Sequence, residues 1–141
     1  MIERSFDAAR INALVNDPTI RPYIGGDITQ PLDLTGAVVD RNVFLLGEHG
    51  GFAVTWCAPG IYEVHTFILP GGRGLWAIRA ARKGFAIMRD EYGAERIWTR
   101  VEETQANVRA FTLAVGFKPV GAMPFDLGAG NKMYQLYEWR A

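Results

Sequence analysis

Residues 61–117 read IYEVHTFILPGGRGLWAIRAARKGFAIMRDEYGAERIWTRVEETQANVRAFTLAVGF, and this stretch decides the fold. Ile61–Leu69 is rich in β-branched and aromatic residues, the composition of a half-buried pleated strand. Pro70-Gly71-Gly72 ends it. Over Arg73–Tyr92, the residues Leu75, Ile78, Ala81, Phe85, Met88 and Tyr92 recur at steps of three and four, which predicts one apolar stripe on an amphipathic helix. Gly93 stands where a left-handed cap is cheap. A second strand is predicted over Glu95–Val101, then a helix over Thr104–Val115, closed by Gly116-Phe117. Two strands joined by a helix imply a right-handed crossover and a locally parallel pair.

Outward from that stretch, the preceding residues predict a meander. Asn42–Leu46, Gly51–Cys57 and Ile61–Leu69 are β-prone runs separated by turn residues at hairpin spacing. Lys118–Ala122 and Lys132–Trp139 read as two closing strands around a Gly-rich loop, Asp126–Asn131. At the start, Ser5 or Asp7 is placed to cap a helix with Phe6, Ala9, Ala13 and Leu14 on one side. Asp17 and Pro18 signal a second, short helix, stopped by Pro22 and Gly25-Gly26. Ile24–Gly36 has no clean period and reads as loop. Residues 1–141 make a single α/β domain with one mixed sheet.

Bulk properties exclude several function classes. Fifteen basic residues balance fifteen acidic ones, so no net charge draws the chain to nucleic acid or a membrane. The row Arg79, Arg82, Lys83 and Arg89 reads as the solvated face of the central helix. His49 and His65 are the only histidines, and Cys57 the only cysteine, so no metal-spaced cluster and no internal disulfide are expected. Cys57 sits in an apolar strand context and is expected to be a buried, inert thiol. Trp56, Trp76, Trp98 and Trp139 read as core or interface packing. There is no signal-peptide pattern and no membrane-spanning run, and a cytoplasmic setting is the expectation.

This order of elements resembles the GNAT family of N-acetyltransferases, and the resemblance covers residues 40–138. The family's acetyl-coenzyme A motif is a strand ending in Pro, then Arg/Gln-x-x-Gly-x-Gly/Ala opening a helix. Pro70, Arg73 and Gly74 fall in place, while Trp76 and Ile78 hold the glycine positions. Asn107 through Gly116-Phe117 meets the family's later helical motif. The chain looks like a divergent member, of the kind found among phage and prophage genes. The resemblance implies a GNAT-like mixed, mostly antiparallel sheet flanked by helices. It implies acetyl-coenzyme A as acyl donor and a small-molecule or peptide amine as acceptor, with no nucleic-acid or membrane partner. It is compatible with a homodimer.

Residue by residue, the implied coenzyme site comprises the backbone of Phe67 and Ile68 beside the thioester carbonyl. Arg73, Gly74, Leu75, Trp76 and Ala77 would lie at the pyrophosphate, with Asn107 on the later helix. A helix N-terminus has unpaired N–H groups and a positive dipole end, which suits a pyrophosphate. Trp76 and Ile78 either turn into the core and leave those amides usable, or obstruct them. Acyl transfer to an amine also needs a proton acceptor. Glu63 and His65 share one face of their strand, and imidazole is the side chain whose unperturbed pKa lies nearest neutrality. Their alternative roles are a strand-end surface charge and a hydrogen-bonded sheet residue. The Tyr that in the family protonates the thiolate falls on Thr112 or Ala114, depending on register. Tyr134 or Tyr137 on the last strand are substitutes. If Tyr23 and the Gly25-Gly26 turn follow the family, they lie near the acceptor. The competing function is a non-catalytic GNAT-fold binding or structural protein, phage-related or not.

Overall fold

The computed structural model describes residues 1–128 and 130–141. Its seven strands form one sheet in the order β1-β2-β3-β4-β5-β7-β6. They are β1 (Glu3–Arg4), β2 (Val43–Gly47), β3 (Gly50–Ala58), β4 (Ile61–Ile68), β5 (Arg96–Glu102), β6 (Lys118–Asp126) and β7 (Asn131–Arg140). Every neighbouring pair is antiparallel except β4 and β5, which are parallel as the crossover predicted. The helices are α1 (Ala8–Val15), α2 (Leu75–Tyr92) and α3 (Ala106–Ala114). Strand β1 is too short to carry a sequence signal. Strand β6 runs four residues beyond the expected Ala122, to Asp126. The turn between β6 and β7 is correspondingly shorter than the expected Asp126–Asn131 loop, and residue 129 of that loop lies outside the described residues.

Two apolar layers hold the sheet. Between the sheet and α2 and α3 lie Val43, Leu45, Phe52, Val54, Tyr62, Val64, Ile97 and Val101, packed on Ala77, Ala81, Phe85 and Met88. On the opposite face, Phe44, Leu46, Ala53 and Phe67 pack against Ile11, Leu14 and Val15 of α1. Strand β4 therefore sends Tyr62 and Val64 toward α2, and Glu63, His65 and Phe67 toward the α1 face.

The central helix corrects the sequence reading at its start. Pro70–Gly72 forms a tight turn of its own, and the helix begins at Leu75 rather than Arg73. Gly74 precedes it with φ 104° and ψ −131°, a conformation essentially confined to glycine. Leu75, expected in the apolar stripe, is 60% exposed. The buried face is instead Ala77, Ala80, Ala81, Gly84, Phe85 and Met88. These small residues let the helix settle low; a Cβ on Gly84 would stand 3.1 Å from Leu45 Cδ1. Gly93 caps the helix in the left-handed conformation, as read.

Other expectations are corrected as well. Helix α1 is capped by the Asp7 side chain but buries Ile11, Leu14 and Val15, leaving Phe6, Ala9 and Ala13 exposed. The second helix is not formed. Asp17 binds the Thr19 amide in a tight turn, followed by one 3₁₀ turn at Arg21–Tyr23. Cys57 is exposed, not buried. It is skipped in the β3–β4 register, which passes from Trp56 to Ala58, so the bulge shifts it off the alternation of the strand. The Ile24–Gly36 loop is irregular but pinned. The buried Arg21 guanidinium donates to the carbonyls of Ile24, Gly25, Asp27 and Gln30, and Asn16 binds both the N–H and the C=O of Leu32. Among the described residues, no helix is long and apolar enough to cross a membrane.

Candidate functional site

The parallel pair supplies the site. Strands β4 and β5 are paired only over Ile61↔Arg96, Tyr62↔Ile97 and Glu63↔Trp98. Beyond that point β4 continues through residues 64–68 and β5 through residues 99–102 without a shared ladder. One contact marks the divergence: Thr99 Oγ1 donates to Val64 O at 3.0 Å. The sheet thus opens into a wedge between two strands, leaving backbone groups along its walls free to take a ligand.

Which groups face the wedge follows from alternation. Leu69 N–H donates to His49 O on the β3 side, at 2.8 Å. Two residues back, Phe67 N–H faces β3 as well, and Ile68 N–H faces the wedge. Of the two amides expected beside a thioester, Ile68 alone opens to the gap. The Phe67 side chain is buried under α1.

At the mouth stand the Pro70–Gly72 turn and the N-terminus of α2. The first helical bond runs from Ile78 N–H to Gly74 O, so the amides of Leu75, Trp76 and Ala77 have no intrahelical partner. Nothing lies within 4 Å of where a Gly74 Cβ would be, so the turn is open. Trp76 does not obstruct it. Its indole lies edge-on to His49, with ring centroids 5.0 Å apart, and would stand 2.9 Å from a Cβ on either Gly47 or Gly72. The ring is folded back over the β2–β3 turn, and Ile78 packs against the core. A compact anion thus fits this turn: a glycine-only backbone, open space and three free amides.

Arg73 sits at the same mouth but is engaged. Its Nε donates to Ile68 O at 3.1 Å and its Nη2 to Thr19 O at 2.6 Å, and its guanidinium lies 5.7 Å from the Tyr23 ring centroid. It ties the N-terminal segment to the end of β4. Across the mouth, Tyr23, Gln105, Asn107 and Val108 line a hollow of about 280 Å³ that brings the Arg21–Tyr23 turn against the start of α3. Arg73, Tyr23 and Asn107, far apart in sequence, so come together at one end of the wedge.

The α1 face of the wedge carries the charged groups. Glu63 Oε1 lies 3.5 Å from His65 Nε2, and Glu63 Oε2 lies 3.5 Å from Arg100 Nε. The Glu63 side chain is 13% exposed and that of His65 44%. Burial alone would push the Glu63 carboxyl up, but the hydrogen bond and charge of His65 and the charge of Arg100 outweigh it and hold it below the usual value. The contact with Arg100 is a charge contact rather than a directed bond, since Oε2 has no hydrogen-bond partner. Sequence reading missed Arg100. Its signal lay in β5 itself, where Ile97 and Val101 alternate with Arg96, Trp98, Arg100 and Glu102.

The candidates for a thiolate-protonating hydroxyl separate cleanly. Thr112 is buried, with its hydroxyl bonded to Val108 O at 2.8 Å. Ala114 only offers its carbonyl to Arg82. Tyr137 is in the core beneath α2. Tyr134 lies on the same face as Glu63, edge-on to Phe125, with ring centroids 5.7 Å apart. The Gly25-Gly26 turn packs against Leu127, so that loop reaches the β6–β7 end of the α1 face. Among the described residues, no group of His, Cys, Asp and Glu side chains is placed to hold a metal ion.

No protein-family model matches the sequence, and no curated protein matches it. Solved structures do match. A GNAT-family acetyltransferase from Bacillus anthracis aligns with a TM-score of 0.71 at 15% identity, over 99% of this chain and 93% of that one. A variant of spermidine N-acetyltransferase from Vibrio cholerae aligns with a TM-score of 0.78 at 9% identity, over 99% and 94%. The microcin C7 self-immunity acetyltransferase, solved with acetyl-CoA and AMP, aligns with a TM-score of 0.68 at 11% identity, over 99% and 92%. At these identities the likeness is one of architecture: the chain has the fold of the GNAT acetyltransferases.

Proposed function

We propose that the protein is an acetyl-coenzyme A-dependent N-acetyltransferase acting on a small-molecule or peptide amine. The observation that carries this reading is the wedge between β4 and β5. It has unladdered backbone on its walls, an open glycine turn and free helix amides at its mouth, and an acid–imidazole pair on one face. The amides of Leu75, Trp76 and Ala77 would hold the pyrophosphate, where a helix N-terminus favours an anion. Arg73 would brace that turn, with Asn107 lining the opposite side of the mouth. When bound, acetyl-coenzyme A supplies a thioester whose carbonyl carbon is open to attack by an amine. Ile68 N–H donates into the wedge where that carbonyl would lie. Glu63 or His65 receives the proton that an acceptor ammonium must lose.

The test is binding followed by transfer. If acetyl-coenzyme A binds only the folded chain, a hundredfold excess over its Kd adds about 2.7 kcal/mol of apparent stability. For 141 residues the unfolding entropy is about 0.3 kcal/mol per kelvin, so the midpoint rises by about 9 °C. Arg73→Ala shrinks the shift without unfolding the protein. No shift at millimolar acetyl-coenzyme A and no heat in calorimetry would sink the reading. A second reading, a GNAT-fold protein that binds without catalysing, is favoured by one observation: the helix before Gly116-Phe117 offers no free hydroxyl, because that of Thr112 is bonded to Val108. Binding without acetylation across a panel of amines would favour it.

A further inference from the structure

Among the described residues, one ion pair spans the opening between β4 and β5 on the α1 face. Arg100 stands two residues past Trp98, where the ladder has already stopped, and reaches back to Glu63. It is not free to swing. Its guanidinium lies 4.8 Å from the Phe125 ring centroid and 5.9 Å from that of Trp98, within the range of a cation held against aromatic faces. Glu63 is therefore flanked on both oxygens, Oε2 by a fixed cation and Oε1 by the imidazole of His65.

The other charged groups nearby are paired elsewhere. Arg96 on β5 pairs with Glu138 on β7 at 3.7 Å, and Lys132 on β7 pairs with Glu102 on β5 at 3.7 Å. On β3 the residues opposite Glu63 and His65 are Thr55 and Ala53, neither of them charged.

A carboxylate next to a guanidinium stays ionised. That makes it a poor proton acceptor and a strong hydrogen-bond acceptor. A neutral imidazole carries its proton on one nitrogen only, and an anion facing Nε2 selects the tautomer protonated there. The lone pair is then on Nδ1.

We propose that Arg100 is a positioning residue: by pairing with Glu63 across the β4–β5 opening, it assigns proton acceptance to Nδ1 of His65. The proposal rests on the acetyltransferase reading for its purpose but not for its geometry. In the reaction, the acceptor ammonium gives one proton to His65 Nδ1. Its nitrogen forms the amide bond as the thioester C–S bond breaks, and the second proton goes to the departing sulfur. Glu63 stays an anion throughout and holds the imidazolium through Nε2–H.

Long-range proton–nitrogen correlation spectra of the ¹⁵N-labelled protein, with no coenzyme or acceptor present, test the assignment. With two histidines in the chain, a His49→Gln sample identifies the His65 signals. The expected result is neutral His65 protonated on Nε2. In Arg100→Gln, the carbon-13 titration midpoint of Glu63 moves up, and Arg100→Lys restores it. His65 protonated on Nδ1 in the wild type overturns the proposal, as does a Glu63 midpoint unmoved in Arg100→Gln. If Arg100→Gln fails to fold, the wild-type tautomer decides alone. Failure of acetyl-coenzyme A to bind sinks the transferase reading and leaves this result untouched. The reverse outcome leaves the transferase standing, with Glu63 itself as the base.

Discussion

Replacing Phe85 with Ala removes the side chain on which α2, β3, β7 and Phe117, between α3 and β6, converge. Phe85 is 3% exposed. Its ring centroid lies 6.1 Å from that of Phe52, 5.4 Å from Phe117 and 5.6 Å from Trp139. A buried Phe→Ala change costs roughly 3–5 kcal/mol, the spread reflecting how far the cavity collapses. Collapse is limited here. The neighbours are three stiff aromatics on different elements, and on the helix face beside it Ala81 and Gly84 are small, leaving Met88 as the one long side chain there. The upper half of the range applies, about 4 kcal/mol. With an unfolding entropy near 0.3 kcal/mol per kelvin, the midpoint falls by about 13 °C. Urea unfolding with an unchanged slope is the assay, since a changed slope would mean a changed denatured state. Leu75→Ala is the control. At 60% exposure it should move stability by no more than about 0.5 kcal/mol. A loss under about 1 kcal/mol at Phe85, or a larger loss at Leu75 than at Phe85, would refute the packing argument.

Trp76→Gly should destabilise the fold by about 2–4 kcal/mol, through lost packing over the β2–β3 turn and a glycine in a helix. It should not tighten acetyl-coenzyme A binding, because the indole already points away from the free amides; tighter binding with unchanged stability would show the ring in the phosphate path. Glu63 gives a pH dependence. Its folded-state pKa is lowered, so its contribution is complete above the unfolded value and is lost as pH falls through the folded one. The stability difference between wild type and Glu63→Gln should therefore shrink on acidification below about pH 4.3, the ordinary Glu value. A difference that stays constant or grows toward low pH in urea titrations would contradict the ion-pair geometry.

What was legible in the sequence was what depends on period and punctuation. The β-branched and aromatic run Ile61–Leu69, the stops at Pro70 and Gly93, and the spacing of Ala81, Phe85 and Met88 are local signals, and each corresponds to an element that formed. The misreadings have local causes as well. Helix α1 has eight residues, too few turns for one apolar phase to exclude another, and Ile11 and Val15 lay as close to a stripe as Ala9 and Ala13. Cys57 looked buried because its strand context is apolar, and only the pairing with β4 reveals the bulge that displaces it. Arg73 fitted a motif, but its hydrogen bond to the Thr19 carbonyl joins residues 54 positions apart. The pairing of Arg100 with Glu63 was invisible for the same reason. A charge on β5 meets Glu63 only once the parallel register and its early end are known.

The two sides of the wedge differ in how they tolerate sequence change. The mouth is built from backbone: three free amides, one glycine-only conformation and the Ile68 N–H. Backbone groups survive substitution so long as the new side chains turn elsewhere. Trp76 meets that condition by lying over Gly47 and Gly72, where a Cβ would have blocked it. The departure at the signature positions therefore changes packing behind the turn rather than the donors in front of it. The α1 face is built from side chains, and there each replacement changes the chemistry. Removing Glu63 would leave Arg100 held between aromatic rings with no anion. Removing Arg100 would leave a buried carboxylate oxygen with neither a hydrogen bond nor a cation. If the proposed function holds, acceptor choice and proton transfer are expected to change with a few residues on β4 and β5, while the opening proposed for the acyl donor is a property of the strands themselves.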